Sequence, residues 1–188
     1  MVSVILCPIS GAPENEPVLD MAYAVAKGLN SHLDVLHVQP EAKESIPLMG
    51  EGMSVAMVED MIRIAETEAT ERAKRARQMF DASVKRHGLP IAERASETSG
   101  ASVAWLKEHG REDEVIAWRG RLSDLTVVGR PGDSEDVLTP MVLNAAIFET
   151  GRPVMVVPPK SESITRKRVA ISWNGSQQSA RAVSSAIK

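Results

Sequence analysis

Asp124-Leu125-Thr126-Val127-Val128-Gly129-Arg130-Pro131-Gly132 is the stretch on which the fold turns. A short run of apolar and β-branched residues ending in a glycine loop predicts a buried strand. The flanks repeat the alternation. Upstream, Glu112 to Arg121 predicts a helix around Val115, Ile116 and Trp118. Downstream, Thr139 followed by Pro140 predicts an N-cap with proline at the first helical position. Met141, Val142, Ala145, Ala146 and Phe148 carry that helix to Gly151, and Pro153 to Val157 is the next strand. Strand, helix, strand at this spacing is a βαβ unit.

The same grammar runs back to the N-terminus. Val2 to Ile9 reads as a strand, broken by Ser10, Gly11, Ala12 and Pro13. Val18, Met21, Ala22, Val25 and Leu29 recur at helical spacing. Leu33 to Val38 is a second buried strand, and Gln39 to Gly52 a loop. Val58, Ile62, Ala65, Ala69, Ala73, Ala76, Phe80 and Val84 then form one continuous helical face. A helix from Ser54 to His87 would be about 50 Å long, more than a small domain's width, so part of it is expected to bend, fray or project. Gly88 and Pro90 stop it. Ile91 to Ser96 is assigned as the third strand, and Ser99 to His109 as helix interrupted at Gly110 and resumed at Glu112. Such alternation predicts an open α/β parallel sheet with helices on both faces.

Composition narrows the function classes. The chain has 188 residues, 43% hydrophobic and 25% charged, as in ordinary globular domains. A net charge of −3 and 3% aromatic residues argue against a nucleic-acid partner. No apolar run approaches the ~20 residues that span a bilayer, so no membrane is expected. With Cys7 the single cysteine, no intrachain disulfide can form, and a cytoplasmic location is expected.

Pro158 to Lys167 is polar and reads as a linker. Beyond it the opening of the chain recurs at an offset of 164 residues: Val4 to Ala12 lies over Arg168 to Ser176, with Gly11 on Gly175. A repeat of this kind points to a duplicated domain. The expected organisation is a first domain over 1–159, a linker over 160–167, and the first strand and helix of a second domain over 168–188, the front of a longer natural protein.

These strings, Asp124 to Gly132, Thr150 to Val157 and Val169 to Val183, resemble the universal stress protein family in its tandem form. The resemblance implies a Rossmann-like, five-stranded parallel sheet of order 3-2-1-4-5. In such a sheet the ligand crevice lies where strand order reverses, outside the carboxyl ends of strands one and four. It would be formed by Ser10, Gly11, Val38, Gly129, Arg130, Gly132 and Thr139. The family's nucleotide binders carry G-x-x-G, nine residues, then glycine with serine or threonine. Gly129 and Gly132 match the first half; the second half falls on Val142-Leu143, or on Pro140-Met141 when aligned through the fifth strand. Neither pair serves a phosphate. The family's aspartate after strand one is Ser10 here, and Asn174 in the repeat.

Three readings of the Gly129 loop follow: a structural turn without nucleotide, which is favoured; a shifted or weak site helped by Arg130 and the Thr139 hydroxyl; and a pocket for another small ligand. The resemblance therefore implies a non-catalytic stress-response protein acting through dimerisation and partner contacts, with no cofactor in this domain. The alternative is an adenine-nucleotide binder that takes ATP, or a slow ATP hydrolase. No residue is assigned a catalytic role. A homodimer is expected through Pro153 to Val157 or through the trailing segment.

Other candidates read as structural. Cys7 lies mid-strand and is expected to be a buried, inert thiol. His37 is expected to be a satisfied core or rim histidine. His32, His87 and His109 have no metal-ligand spacing, so no metal site is expected. Met49, Met53, Met57 and Met61 are expected to fill the core, the alternative being an adaptable surface for a partner or an apolar ligand.

Overall fold

The computed structural model describes residues 2–40, 54–97, 99–131, 138–159, 161 and 169–186. Five strands make one parallel sheet of order β3-β2-β1-β4-β5. They are β1 (Val4–Pro8), β2 (His32–Gln39), β3 (Ser102–His109), β4 (Leu125–Gly129) and β5 (Val154–Val157). The helices are α1 (Asn15–Leu29), α2 (Val55–His87), α3 (Glu112–Arg121), α4 (Leu138–Glu149) and α5 (Gln177–Ala186).

Strand order dictates which face each helix covers. The chain steps from β1 to β2 to β3 in one direction, then returns past β1 to β4 and β5. Right-handed crossovers therefore put α1 and α2 on one face and α3 and α4 on the other. Two cores result. Ile5, Cys7, Leu33, Val35, Val103 and Val127 pack with Val18, Leu19, Tyr23, Ala76 and Phe80. Leu6, Leu36 and Val38 pack with Ile116 and Ala145. Burial on both faces explains why these strands read as unbroken apolar runs.

Local chemistry sets the ends. The Ser54 hydroxyl accepts the Met57 amide N–H at 3.3 Å, an N-cap, and α2 ends at Gly88 with φ of +66°. The Asp124 carboxylate accepts the amides of Ser3 (2.8 Å) and Val4 (3.1 Å), tying the start of β1 to the entry of β4. Asp20 on α1 meets His87 at 2.7 Å and Arg86 at 3.0 Å, clamping α1 to the end of α2.

Two elements depart from the sequence expectation: residues 169–174, read as the first strand of a second copy, form no strand, and the third strand lies elsewhere. The third strand is Ser102–His109, within the stretch read as helix, while Ile91 forms only an isolated bridge to Val103. The short apolar string Val103, Trp105 and Leu106 does not by its spacing decide between helix and strand, and eight residues pair in register with β2. Glu112–Arg121 is consequently a new helix and not a resumed one. Thr139 is not an N-cap either: it lies inside α4, which is already helical at Leu138.

Candidate functional site

The crevice is built from the carboxyl ends of β1, β2 and β4. The strand registers pair Pro8 with Leu36 and Leu6 with Thr126; carried forward, they set Ser10 level with Val38 and Arg130. The fold thus brings Ser10, Gly11, Val38, Gly129 and Arg130 to one edge. Gly132 lies outside the described residues, and Thr139 lies in the first turn of α4.

What occupies this edge is the protein itself. The Asn15 side-chain oxygen accepts the Ser10 amide N–H at 2.8 Å, the Gly11 amide N–H at 3.1 Å and the Ser10 hydroxyl at 3.0 Å. The Ala12 amide N–H donates to the Ser10 hydroxyl at 3.3 Å. Pro13 and Pro17 have no N–H to offer. The amides of Asn15 and Glu16 donate back to the carbonyls of Ala12 (2.9 Å) and Pro13 (3.1 Å). In phosphate-binding turns such donors converge on an oxyanion. Here they converge on a carboxamide oxygen one helical turn away.

Three further features tighten the edge. Gly11 has φ of +87°, and a Cβ there would stand 2.7 Å from both the Ala76 nitrogen and the Arg72 carbonyl oxygen. The turn thus lies against the backbone of α2, and only glycine fits. At the other lip, a Cβ on Gly129 would meet Val18 of α1 at 3.1 Å. The Arg130 amide N–H donates to the Val157 carbonyl at 2.8 Å, so it belongs to the sheet. The Val38 side chain is itself core, packed with Leu6, Leu36, Ile116 and Ala145.

Beside the turn lies a buried histidine. His37 is 1% exposed, and its Nδ1 lies 3.0 Å from the Ile9 carbonyl, which requires the N–H at that nitrogen. Its Nε2 and the Arg72 Nη2 have no partner among the described residues. The expected satisfied histidine is therefore satisfied at one nitrogen only. Burial, chiefly, pushes its pKa below the usual 6.5.

A second cluster has the order of a hydrolase relay. His32 Nδ1 lies 2.7 Å from the Ser102 hydroxyl, and Asp34 Oδ1 lies 3.1 Å from Nε2. Ser102 is fully buried where β3 begins, and the Asp34 contact lacks hydrogen-bond geometry. A nucleophile must reach substrate, so this cluster pins β2 to β3 instead. Cys7 is fully buried, and burial pushes its thiol up to about 12, the inert character expected of it. Among the described residues no group of three or more histidine, cysteine or acidic side chains could hold a metal, and no helix is long and apolar enough to cross a membrane.

Sequence reasoning named the turn but missed Asn15, the residue that closes it. The available signal was an Asx side chain in the first turn after a glycine break, a pattern that caps backbone donors locally.

No protein-family model matches the chain, and no curated protein matches it in sequence. Solved structures do match. The universal stress protein UspA from Lactobacillus plantarum is 17% identical with a TM-score of 0.53, over 83% of this chain and 97% of that one. The hypothetical protein MJ0577 is 22% identical with a TM-score of 0.55, over 86% of this chain and 99% of that one. At this identity the likeness is one of fold: the chain has the universal stress protein fold.

Proposed function

We propose that the chain is a non-catalytic protein of the universal stress type, acting through dimerisation and partner contacts, whose first domain does not use its crevice for ATP. The observation that carries this reading is the Asn15 side chain, which takes the donors a phosphate would need. The exposed carboxylates of Glu14 and Glu16 flank the same turn and would repel a phosphate. The alternative, an ATP-binding domain, requires Asn15 to swing away and leave two amides free.

Dimerisation is assigned to β5. It is a sheet edge with no further strand among the described residues, and Val156 is partly exposed on it. Residues 169–186 are read as the opening of a second copy of the fold. Gly175 has φ of +76° against +87° at Gly11, and a helix follows each glycine.

The test is to denature the purified chain and chromatograph the released small molecules. The reading expects no adenine nucleotide; near-equimolar ATP or ADP would overturn it. Sedimentation of the Val156→Lys variant checks the dimer, which a charge at the pairing edge should dissociate.

A further inference from the structure

From residue 56 onward, the first residue of α2 that is buried is Ala69. Of residues 56–68, every one is exposed or half-exposed, which amounts to about 20 Å of helix without core contact. The sequence expectation that Met57 and Met61 fill the core fails here: they are 56% and 39% exposed, and Ile64 is 62% exposed. Met49 and Met53 lie outside the described residues. Met57, Met61 and Ile64 stand at i, i+4 and i+7, so they form one row along the helix. Val58, Ile62 and Ala65, half-buried, widen it. A helical segment this short is marginal in water on its own, and a contiguous apolar face of this kind marks an interaction site.

Charge decides what fits the face. At 100° per residue, Glu59 and Glu66 border the apolar sector beside Ile62, Asp60 borders it beside Ile64, and Glu68 closes its end. Arg63 is the one base in the segment, and it is held by Asp60 at 2.8 Å. Glu59, Glu66 and Glu68 have no ion pair among the described residues. Two copies of this face would meet with carboxylates on both borders, which opposes self-pairing.

We infer that the N-terminal half of α2 docks a basic amphipathic helix of a partner protein. The partner's apolar residues pack on Met57, Met61 and Ile64, and its lysines or arginines lie against Glu59, Glu66 and Glu68. Methionine suits this role because its unbranched, polarizable side chain adapts to differing partner surfaces. The inference gives a chemistry to the partner contacts of the reading above, and its failure would leave the closed turn untouched.

The full chain is titrated into two fluorescein-labelled amphipathic peptides of about 16 residues with the same leucine face, one flanked by lysines and one by glutamates. The lysine peptide should bind at least about tenfold tighter, and the preference should shrink as salt screens it. Met57→Ser/Met61→Ser/Ile64→Ser should lose at least about tenfold in affinity with an unchanged circular dichroism spectrum. Glu59→Lys/Glu66→Lys/Glu68→Lys should invert the preference between peptides. Equal binding of the two peptides, binding unaffected by the triple serine variant, or no binding at all would overturn the inference. So would a dimer of the wild-type chain that the triple serine variant dissolves, since the face would then belong to a second copy.

Discussion

Asn15→Ala is the perturbation that most directly probes the closed turn. The side-chain oxygen accepts two backbone amides and one hydroxyl, at 2.8, 3.1 and 3.0 Å. A hydrogen bond contributes about 0.5–1.5 kcal/mol net, and a buried donor left unpaired costs about 1–3 kcal/mol. Ser10 is buried but Asn15 is only half-buried, so water can reach part of the gap. The expected loss is therefore about 2 kcal/mol, less than the sum of three separate deletions. Asn15→Asp separates geometry from mere size. A carboxylate keeps the acceptor and lies at the N-terminus of α1, and its charge-assisted bonds to two amides outweigh the solvent-screened repulsion from the exposed Glu14 and Glu16, so at pH 7 it should equal or exceed the wild type by up to about 1 kcal/mol. Those amides would hold its pKa below the unfolded value of about 3.9. The gain is thus present above that value and is lost as pH falls through the folded pKa. Urea unfolding at pH 7 and pH 3 measures both variants. A loss under about 0.5 kcal/mol for Asn15→Ala, or an Asp variant as weak as the Ala variant at pH 7, would refute the argument.

Three further outcomes follow from the same geometry. Gly120→Ala should cost about 1–3 kcal/mol in chemical denaturation, because the new Cβ would collide with the Thr150 side chain where α3 meets α4. The lowered pKa of His37 makes the unfolded chain the better proton acceptor below about pH 6.5, so stability should fall with pH from there by up to ~1.4 kcal/mol per unit. His37→Gln should flatten that pH dependence. Cys7, buried and with its thiol pushed up to about 12, should resist alkylation in the native protein and react at the rate of global unfolding; fast labelling of the folded chain would contradict its placement.

Most of the fold was legible because local and tertiary signals agreed. The long helix was placed from Ser54 to its stop at Gly88, and the apolar runs of β1, β2 and β4 are the central strands. The third strand was not legible. Val103, Trp105 and Leu106 form a short apolar string, which periodicity alone does not assign to strand or helix. Its pairing with β2 decides the matter, and Trp105, stacked over His37 and tilted against Phe80, shows why the strand is held there. The crevice was half legible. Glycines and strand ends located Ser10, Gly11, Gly129 and Arg130, whereas Asn15 was missed because an Asx side chain in a first helical turn reads as an ordinary local cap and not as a site motif. Helix length allowed for a bent, frayed or projecting part of α2, but the exposed methionines were only the alternative reading, because an apolar stripe looks the same whether the core or a partner covers it.

The central claim is that this domain's crevice is closed by its own chain. Isothermal calorimetry of the full chain, freed of any carried-over nucleotide and titrated with Mg-ATP, tests it most directly. The account predicts no heat beyond dilution. Saturable binding at micromolar strength would contradict it, and would mean that Asn15 yields its donors to a phosphate.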